Sequence, residues 1–207
     1  MLSPMGVWTD HLLPRLIDFG MRGSSFRVER PKCVGRAKGR VLEIGFGSGL
    51  NLPYYTDEVT ELVALEPAAA ARRLSARRMH DAPFPVEFVR GGGEELPLDA
   101  NSFDTVLCTW TLCTIPDVAG ALREARRVMK PDGQFLFLEH GASRDTKVRR
   151  LQDRLTPIQK IWAGGCHFNR EIDRLVREAG FETVDVEEYR MPGPAFVASM
   201  YLGSAKG

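Results

Sequence analysis

The sequence lacks a long apolar run and an excess of charge of either sign. Lys plus Arg total 28 against 27 Asp plus Glu, so the formal net charge is +1. A nearly neutral chain has no global positive field with which to hold a nucleic acid. No run approaches the roughly 18 to 20 apolar residues of a membrane span, and Asp10 and Asp18 interrupt the first apolar stretch. These absences predict a cytoplasmic protein with no transmembrane segment and no nucleic-acid partner.

Cysteine is scarce, and the four that occur form no paired motif. Cys33, Cys108, Cys113 and Cys166 make no CxxC pair, and a chain of 207 residues can build a core without disulfides. The Cys and His residues also lack the close spacing of zinc ligands. We therefore expect free thiols, with Cys108 and Cys113 in the core, and no metal site.

The chain also has no internal repeat, low-complexity tract or linker, which predicts a single domain over residues 1–207. Its charge is nevertheless uneven. Residues 1–40 hold eight basic and three acidic side chains, and residues 144–160 hold six basic and two acidic. These stretches are either solvated helix faces or surfaces that meet an anionic substrate or a membrane.

Apolar runs of strand length alternate with helical patterns along most of the chain. The runs are Val41–Ile44, Leu62–Leu65, Val86–Val89, Phe103–Cys108 and Phe135–Leu138. Each run is apolar on both faces, as a buried parallel strand is. Helical patterns at Ala68–His80 and Val118–Lys130 lie between runs. This alternation predicts a parallel sheet with helices on both sides.

The pattern changes after the fifth run. A helix is predicted at Glu171–Ala179, followed by strands at Thr183–Tyr189 and Ala195–Leu202. The short Pro/Gly connection between these two strands permits only antiparallel pairing. With a helical segment around Trp8–Met21, the predicted fold class is α/β: a doubly wound, seven-stranded, mostly parallel sheet with a C-terminal antiparallel strand pair.

A glycine-rich loop follows the first strand and is the most informative part of the sequence. The strand leads into Gly45, Gly47 and Gly49, and glycine lets the backbone turn and a ligand approach without a Cβ in the way. A dinucleotide fingerprint needs GxGxxG, and its third glycine would fall at position 50, which is Leu. The second strand ends at Glu66, where a carboxylate can accept hydrogen bonds from ribose hydroxyls. The pattern favours a nucleoside site over a pyrophosphate site.

Five motifs in order resemble the class I S-adenosylmethionine-dependent methyltransferases with a type 11 methyltransferase domain. They are Val41–Gly49, Leu65–Glu66, Gly91–Pro97, Ser102–Asp104 and Arg127–Gly133. The resemblance covers roughly residues 40–140. It implies S-adenosyl-L-methionine as the cofactor and a small-molecule methyl acceptor as the partner.

The resemblance also implies which residues contact this cofactor. Glu43 is expected near the methionine amine, Glu66 at the ribose, and the residues after the third strand at the adenine. Many relatives read GDAExLP there, but residues 91–97 read GGGEELP, so adenine recognition falls to the backbone or to Glu94. Alternatively, Glu94 and Glu95 are carboxylates at a helix N-terminus, where the helix dipole favours them. The implied cofactor residues are Glu43, Gly45, Gly47, Gly49, Asn51, Glu66, Pro67, Gly92, Gly93, Glu94 and Thr109.

The acceptor is suggested by shorter motifs. The Asp/Asn-Pro-Pro-aromatic run of many enzymes that methylate nucleobase or amide nitrogens is absent after the fourth strand. Instead, Val106–Ile115, Phe137–His140 and Trp162–Arg170 resemble animal thiol S-methyltransferases and bacterial phospholipid methyltransferase-like proteins. This resemblance implies S-methylation of a small thiol. The alternatives are N- or C-methylation of a lipid headgroup or quinone, and a non-catalytic nucleoside-binding module.

A thiol reacts as its thiolate, so a base or a positive charge near the acceptor would help. His140, next to Glu139, is predicted to remove or orient the substrate proton, and the alternative is a histidine that caps the strand end. The predicted substrate pocket consists of Trp8, His11, Trp110, Cys113, His167 and Arg170. The alternative is that the aromatic, cysteine and histidine side chains of this pocket simply pack in the protein core.

The resulting organisation has three parts. Residues 1–39 form an N-terminal helical cap, residues 40–140 the cofactor-binding core, and residues 141–207 a lid segment with C-terminal substrate-side elements. Residues 141–168 show no regular period, and long irregular stretches in compact domains often close over ligands. The hydrophobic anchor of the animal enzymes is not found, so we expect peripheral membrane contact at most.

Overall fold

A computed structural model describes residues 12–207 of the chain. Its helices and strands, in chain order, are α1 (Leu13–Gly20), α2 (Ser24–Val34), β1 (Gly39–Ile44), a 3₁₀ turn (Leu52–Tyr54), β2 (Val59–Leu65), α3 (Ala69–His80), β3 (Val86–Val89), β4 (Phe103–Thr109), α4 (Val118–Val128), β5 (Met129–His140), α5 (Thr146–Trp162), α6 (Ile172–Glu178), β6 (Thr183–Arg190) and β7 (Ser199–Lys206).

The seven strands form one sheet in the order β3-β2-β1-β4-β5-β7-β6. The first five strands pair in parallel, and β7 is antiparallel to both β5 and β6. The chain runs outward from β1 to β3 and then returns to β4 on the other side of β1. A sheet of this kind opens a crevice at the carboxyl ends of the strands where the order reverses. The predicted fold class is confirmed.

The central strands are buried on both faces. Leu42 of β1, Leu107 of β4 and Leu136 of β5 are each 0% exposed. One core lies under α4 and α6, and the other lies between the sheet and α2. This two-sided burial explains why the strand runs are continuously apolar rather than alternating.

The expectation that residues 141–168 lack regular structure is wrong, because most of them form α5. Asp145 caps this helix through its carboxylate, which accepts hydrogen bonds from the amides of Lys147 (2.8 Å) and Val148 (3.3 Å). Its buried residues are the polar Gln152 and Thr156, whereas its large apolar side chains are exposed. No buried apolar stripe exists to reveal the helix in the sequence.

Two further elements differ from the sequence prediction. The last strand begins at Ser199 and runs to Lys206, later than the predicted Ala195–Leu202. Helix α2 lies within the N-terminal helical cap predicted for residues 1–39, but its bounds were not predicted, since its buried residues include Glu29 and Arg30 and it contains Pro31. Of the predicted segment Trp8–Met21, the part within the described residues forms α1. No helix among residues 12–207 has the length and apolar character to span a bilayer.

Gly203 tests the packing of the antiparallel edge. It pairs with Phe137 of β5 and Val186 of β6, and a Cβ there would lie 2.3 Å from the Phe137 ring and 2.7 Å from the Asp185 carbonyl oxygen. We expect Gly203→Ala to lower the free energy of unfolding by about 1–3 kcal/mol through overpacking. Urea denaturation measures this change.

The matched control is Gly20→Ala in α1, where an added Cβ meets nothing within 4 Å. This control should be neutral or stabilising by up to about 1 kcal/mol, since Ala is the better helix former. Equal destabilisation by both substitutions would contradict the packing described for the β5–β7 pair.

Candidate functional site

A cavity of about 870 Å³ lies at the carboxyl ends of the central strands. Its size is within the range of small-molecule sites. One part of its wall comes from the loops that follow β1, β2, β3 and β4, and another part comes from α1 and the C-terminal end of α5. The lining residues discussed below are Leu13, Ile17, Asp18, Gly45, Gly47, Ser48, Glu66, Pro67, Gly92, Gly93, Glu94, Trp110, Thr111, Lys160, Ile161 and Gly165.

The glycine loop after β1 requires glycine for two physical reasons. Gly45 and Gly47 have φ angles of +76° and +56°, which L side chains rarely adopt. At Gly45, a Cβ would also lie 2.2 Å from the side chain of Thr111. The loop therefore presents bare backbone to the cavity.

Glu66 connects this loop to the turn after β2. One carboxylate oxygen accepts a hydrogen bond from the Gly47 amide (2.9 Å) and the other from the Ala68 amide (2.8 Å). Burial raises the pKa of Glu66, and the two amides oppose this rise. Each carboxylate oxygen keeps a lone pair for a further donor. The carboxylate lines the cavity and is placed to accept hydrogen bonds from two neighbouring hydroxyls.

Comparison with known proteins places this arrangement in a family. A family model described as a methyltransferase domain matches residues 42–137. Thiol S-methyltransferase TMT1B of Homo sapiens is 30% identical over 169 residues, which cover 79% of this chain and 68% of that protein. The chain belongs to the class I S-adenosylmethionine-dependent methyltransferases.

Other comparisons agree with this assignment. TMT1B of Rattus norvegicus is 30% identical over 71% of this chain, and the chain covers 62% of that protein's length. Phosphatidylethanolamine N-methyltransferase of Cereibacter sphaeroides is 25% identical, with 81% and 82% of the two chains covered. The structure of a SAM-dependent methyltransferase from Thermotoga maritima superposes with a TM-score of 0.68 at 23% identity, covering 96% and 99% of the two chains. The last likeness concerns the fold.

S-adenosylmethionine is the cofactor of this methyltransferase, and the cavity suits it. The backbone of the glycine loop is open to a ligand, and Glu66 can accept from ribose hydroxyls. Seven of the eleven residues predicted for the cofactor line the cavity: Gly45, Gly47, Glu66, Pro67, Gly92, Gly93 and Glu94.

The other four predicted cofactor residues lie outside the cavity lining. Glu43 is 1% exposed and accepts hydrogen bonds from Asn51 Nδ2 (2.7 Å) and the Tyr55 hydroxyl (2.6 Å). Asn51 Nδ2 also lies 2.9 Å from Thr109 Oγ1. Gly49, in the same loop, is also outside the lining. Glu43, Asn51 and Thr109 form a buried polar network next to the glycine loop, and direct contact of these three residues and of Gly49 with the cofactor stays a prediction.

The loop after β3 supplies the altered adenine motif. At Gly93, a Cβ would lie 3.1 Å from Ile44 Cγ2, so this backbone packs closely against the end of β1. The Glu94 carboxylate folds back over Gly92, where it would meet an added Cβ at 2.4 Å. No helix begins at this acidic pair, so the helix-terminus alternative is wrong. Both Glu94 and the backbone of the two glycines face the cavity.

Among the predicted substrate residues, Trp110 lines the cavity. Its φ angle of +49° is unusual for a bulky residue. The indole contacts the Phe26 ring edge-on with centroids 5.4 Å apart, and the Arg30 guanidinium lies 4.9 Å from its centroid. Trp8 and His11 lie outside the described residues.

The remaining predicted residues gather next to the cavity rather than in its lining. Cys166 Sγ lies 3.3 Å from His140 Nε2 and 3.8 Å from Cys113 Sγ. The Cys166 hydrogen bond lowers the pKa of the Cys113 thiol. Burial opposes a charged His140, yet the charge of Cys113 raises the pKa of this imidazole overall. The base role of His140 stays a prediction.

Backbone contacts hold this group in place. The His167 amide donates to the Cys113 carbonyl oxygen (2.8 Å), and the Arg170 guanidinium donates to the Leu112 carbonyl oxygen. Glu139 accepts hydrogen bonds from the amides of Thr111 (2.7 Å) and Leu112 (3.0 Å), and burial raises its pKa to about 8. Arg170 and His167 thus support the wall of the cavity.

Sequence reasoning expected residues 141–168 to close over a ligand, but it named no residue of α1 or α5 in the cavity wall. Asp18 of α1 lines the cavity and accepts a hydrogen bond from Ser48 Oγ (2.6 Å), which ties α1 to the glycine loop. Burial opposes ionisation of Asp18, but hydrogen bonds from Ser48 and Arg22 and the charge of Arg78 lower its pKa. From α5, Lys160 lines the mouth. Neither helix has a sequence motif that identifies it as part of a site.

The Glu43 network makes stability depend on pH. Burial raises the pKa of Glu43 to about 7, while Tyr55, Asn51 and Arg30 oppose this rise. Between pH 4.5 and 7 the unfolded state ionises this carboxyl first, so its contribution to stability is lost as pH rises. We expect the free energy of unfolding, wild type minus Glu43→Gln, to fall on the order of 3 kcal/mol across this window.

Urea unfolding at a series of pH values measures this difference. The control is Glu61→Gln, because the Glu61 carboxylate lies on an exposed part of β2 and pairs with Arg40. Its difference from wild type should stay within about 1 kcal/mol at every pH. A pH-independent difference for Glu43→Gln would show that the buried carboxyl does not titrate in this range.

Proposed function

We propose that this methyltransferase transfers a methyl group from S-adenosylmethionine to a small-molecule thiol. The observation that carries the proposal is the divided character of the cavity. One side offers glycine backbone and Glu66, which suits an adenosyl group. The part lined by α1 and α5 offers mostly apolar side chains, together with Lys160 and with Asp18, whose charge is compensated by Arg22 and Arg78, and it suits an apolar nucleophile that reacts as an anion beside Lys160. The similarity to thiol S-methyltransferases supports sulfur as the acceptor atom.

The adenosyl side is assigned from the loops at the strand ends. Glu66 would accept from the two ribose hydroxyls. The backbone at Gly92 and Gly93, or the Glu94 carboxylate, would contact the adenine. The glycine loop would approach the ribose and methionine parts, since no Cβ blocks it at Gly47.

The acceptor side is assigned to the part of the cavity wall formed by α1 and α5. When bound, the cofactor supplies an electrophilic methyl carbon on a sulfonium ion, which yields a thioether and S-adenosylhomocysteine. The apolar residues Leu13, Ile17 and Ile161 exclude water around the acceptor, and Trp110 closes one side. The Lys160 ammonium favours the thiolate over the thiol. Orientation in this cavity supplies most of the rate increase that such a displacement needs.

The role of Glu66 is tested by cofactor binding. We expect Glu66→Gln to weaken S-adenosylmethionine binding at least about tenfold, because a hydrogen bond to a charged group contributes roughly 1.5–3 kcal/mol. Calorimetric titration measures the affinity, and Glu61→Gln at the exposed part of the same strand is the control.

Unchanged affinity in Glu66→Gln would refute the ribose assignment. Release of S-adenosylhomocysteine in the presence of an acceptor separates an enzyme from a non-catalytic nucleoside-binding module. Binding without turnover on any acceptor would favour the module.

A lipid-phase acceptor is the second candidate, and a specific observation favours it. The two helices that line the cavity carry exposed apolar side chains, here called the apolar rim: Leu16, Ile17 and Phe19 on α1, and Ile158, Ile161 and Trp162 on α5. Phe19 is 80% exposed and Trp162 is 64% exposed. Basic residues on the same helices complement an anionic bilayer: Arg15 on α1, and Lys147, Arg150 and Arg154 on α5. Peripheral contact with a membrane would bring a lipid or quinone to the mouth.

An acceptor panel separates the two candidates. Methyl transfer is measured to small thiols, phosphatidylethanolamine and a quinol, with and without anionic vesicles. We expect turnover of an apolar thiol without vesicles, because the cavity itself holds such an acceptor. Activity on lipid alone would replace the thiol by the second candidate.

The apolar rim is tested in the same assay. If the apolar rim contacts a bilayer, a variant that carries both Phe19→Ser and Trp162→Ser shows weaker vesicle binding and lower turnover of lipid acceptors. Its turnover of water-soluble thiols stays near that of wild type. Val28→Ser on α2, which is 62% exposed, is the control. A cytoplasmic location stays a prediction from the sequence.

A further inference from the structure

Three soft ligand atoms meet beside the cavity. The side chains of Cys113, His140 and Cys166 place Sγ, an imidazole nitrogen and Sγ within 4.8 Å of one another. Their residues are 2%, 8% and 8% exposed, respectively. Nothing in the proposed methyl transfer requires two thiols and an imidazole at one point.

The separations agree with those of ligands around a tetrahedral metal ion. With Zn–S distances of about 2.3 Å and Zn–N distances of about 2.0–2.1 Å, two sulfur ligands lie about 3.8 Å apart and a sulfur and a nitrogen about 3.6 Å apart. The observed separations are 3.8 Å for Cys113 Sγ to Cys166 Sγ and 3.3 Å for Cys166 Sγ to His140 Nε2. Small side-chain shifts would suffice to admit an ion.

The surroundings hold this group in place but leave one of its polar atoms without a partner. The Cys113 backbone is held by the His167 amide, and the His140 ring contacts the Phe168 ring with centroids 5.9 Å apart. His140 Nδ1 is buried and has no hydrogen-bond partner among the described residues. Thiolate and imidazole are the ligands that zinc and other thiophilic ions prefer.

We propose that Cys113, His140 and Cys166 bind a thiophilic metal ion of the Zn²⁺ type. Among residues 12–207, no fourth Cys, His, Asp or Glu ligand atom joins the group, so the fourth position takes an exogenous ligand. Three protein ligands with one open position is the arrangement of catalytic rather than structural zinc sites. The sequence predicted no metal site because it contains no closely spaced set of ligands. The three residues lie 27 and 26 positions apart, so no local motif reveals them.

The ion would connect three elements around the cavity. Cys113 lies in the loop after β4, His140 ends β5, and Cys166 lies between α5 and α6. The neighbouring Gly165 lines the cavity, and an added Cβ there would lie 3.1 Å from the Thr114 carbonyl oxygen. Metal binding would therefore fasten the α5 wall to the strand ends.

Metal titration of the reduced, full-length protein tests the proposal. Zn²⁺ binding is measured by calorimetry, and Co²⁺ is used as a spectroscopic probe of thiolate and tetrahedral coordination. We expect one ion per chain, a thiolate-to-cobalt charge-transfer band and a raised melting temperature. Cys113→Ser and Cys166→Ser should each weaken binding by more than about 100-fold, beyond the loss typical of an outer-shell partner.

Cys33→Ser is the matched control, because Cys33 is also fully buried but lies in α2, outside the group. Its metal affinity should equal that of wild type. Absence of stoichiometric binding to the wild type, which needs no variant to fold, would overturn the proposal. Equal binding by wild type and Cys166→Ser, or isolation of a metal-free Cys113–Cys166 disulfide that forms in place of metal binding, would overturn it as well. None of these readouts depends on the identity of the methyl acceptor.

Discussion

The reversal of strand order between β1 and β4 is the constraint on which the site depends. The chain leaves β1 toward β2 and β3 and later returns to β4 on the other side, so the loops after β1 and β4 diverge and leave a crevice between them. Gly45 and Gly47 bring the backbone of the glycine loop to this cavity, where Ser48 also contributes, and Thr111 of the β4 loop packs where a Gly45 Cβ would be. Glu66 then fixes the loop through the Gly47 amide. A nucleoside site follows from this topology.

A second part of the cavity wall is where we propose that the acceptor binds. It is built from α1 and α5, which also carry exposed apolar and basic side chains. Asp18 connects α1 to the glycine loop through Ser48, so the two walls are mechanically coupled. The same features suit an apolar thiol inside the cavity and a membrane outside it, and these two roles are compatible in one enzyme.

The Cys113–His140–Cys166 group lies where the α5 wall joins the strand ends. Its members come from three elements, and its position beside Gly165 links any change in the group to the shape of the cavity. A bound ion there would act on the part of the cavity wall next to α5, because Gly165 adjoins Cys166 and lines the cavity. In the proposed site, cofactor binding and acceptor binding thus depend on different parts of the cavity wall.

The sequence alone determined the positions of the five parallel strands, the glycine loop and the role expected of Glu66, because each depends on local periodicity or on a backbone conformation that only certain residues adopt. It also determined the antiparallel edge, since a short connection leaves no other pairing. Tertiary structure alone decided that Glu43 and Asn51 form a buried network rather than cavity lining, that α5 is a helix with a buried polar side, and that Cys113, His140 and Cys166 converge. These outcomes depend on which surfaces pack together across the chain, and no local pattern encodes a contact between residues that folding brings together from distant positions.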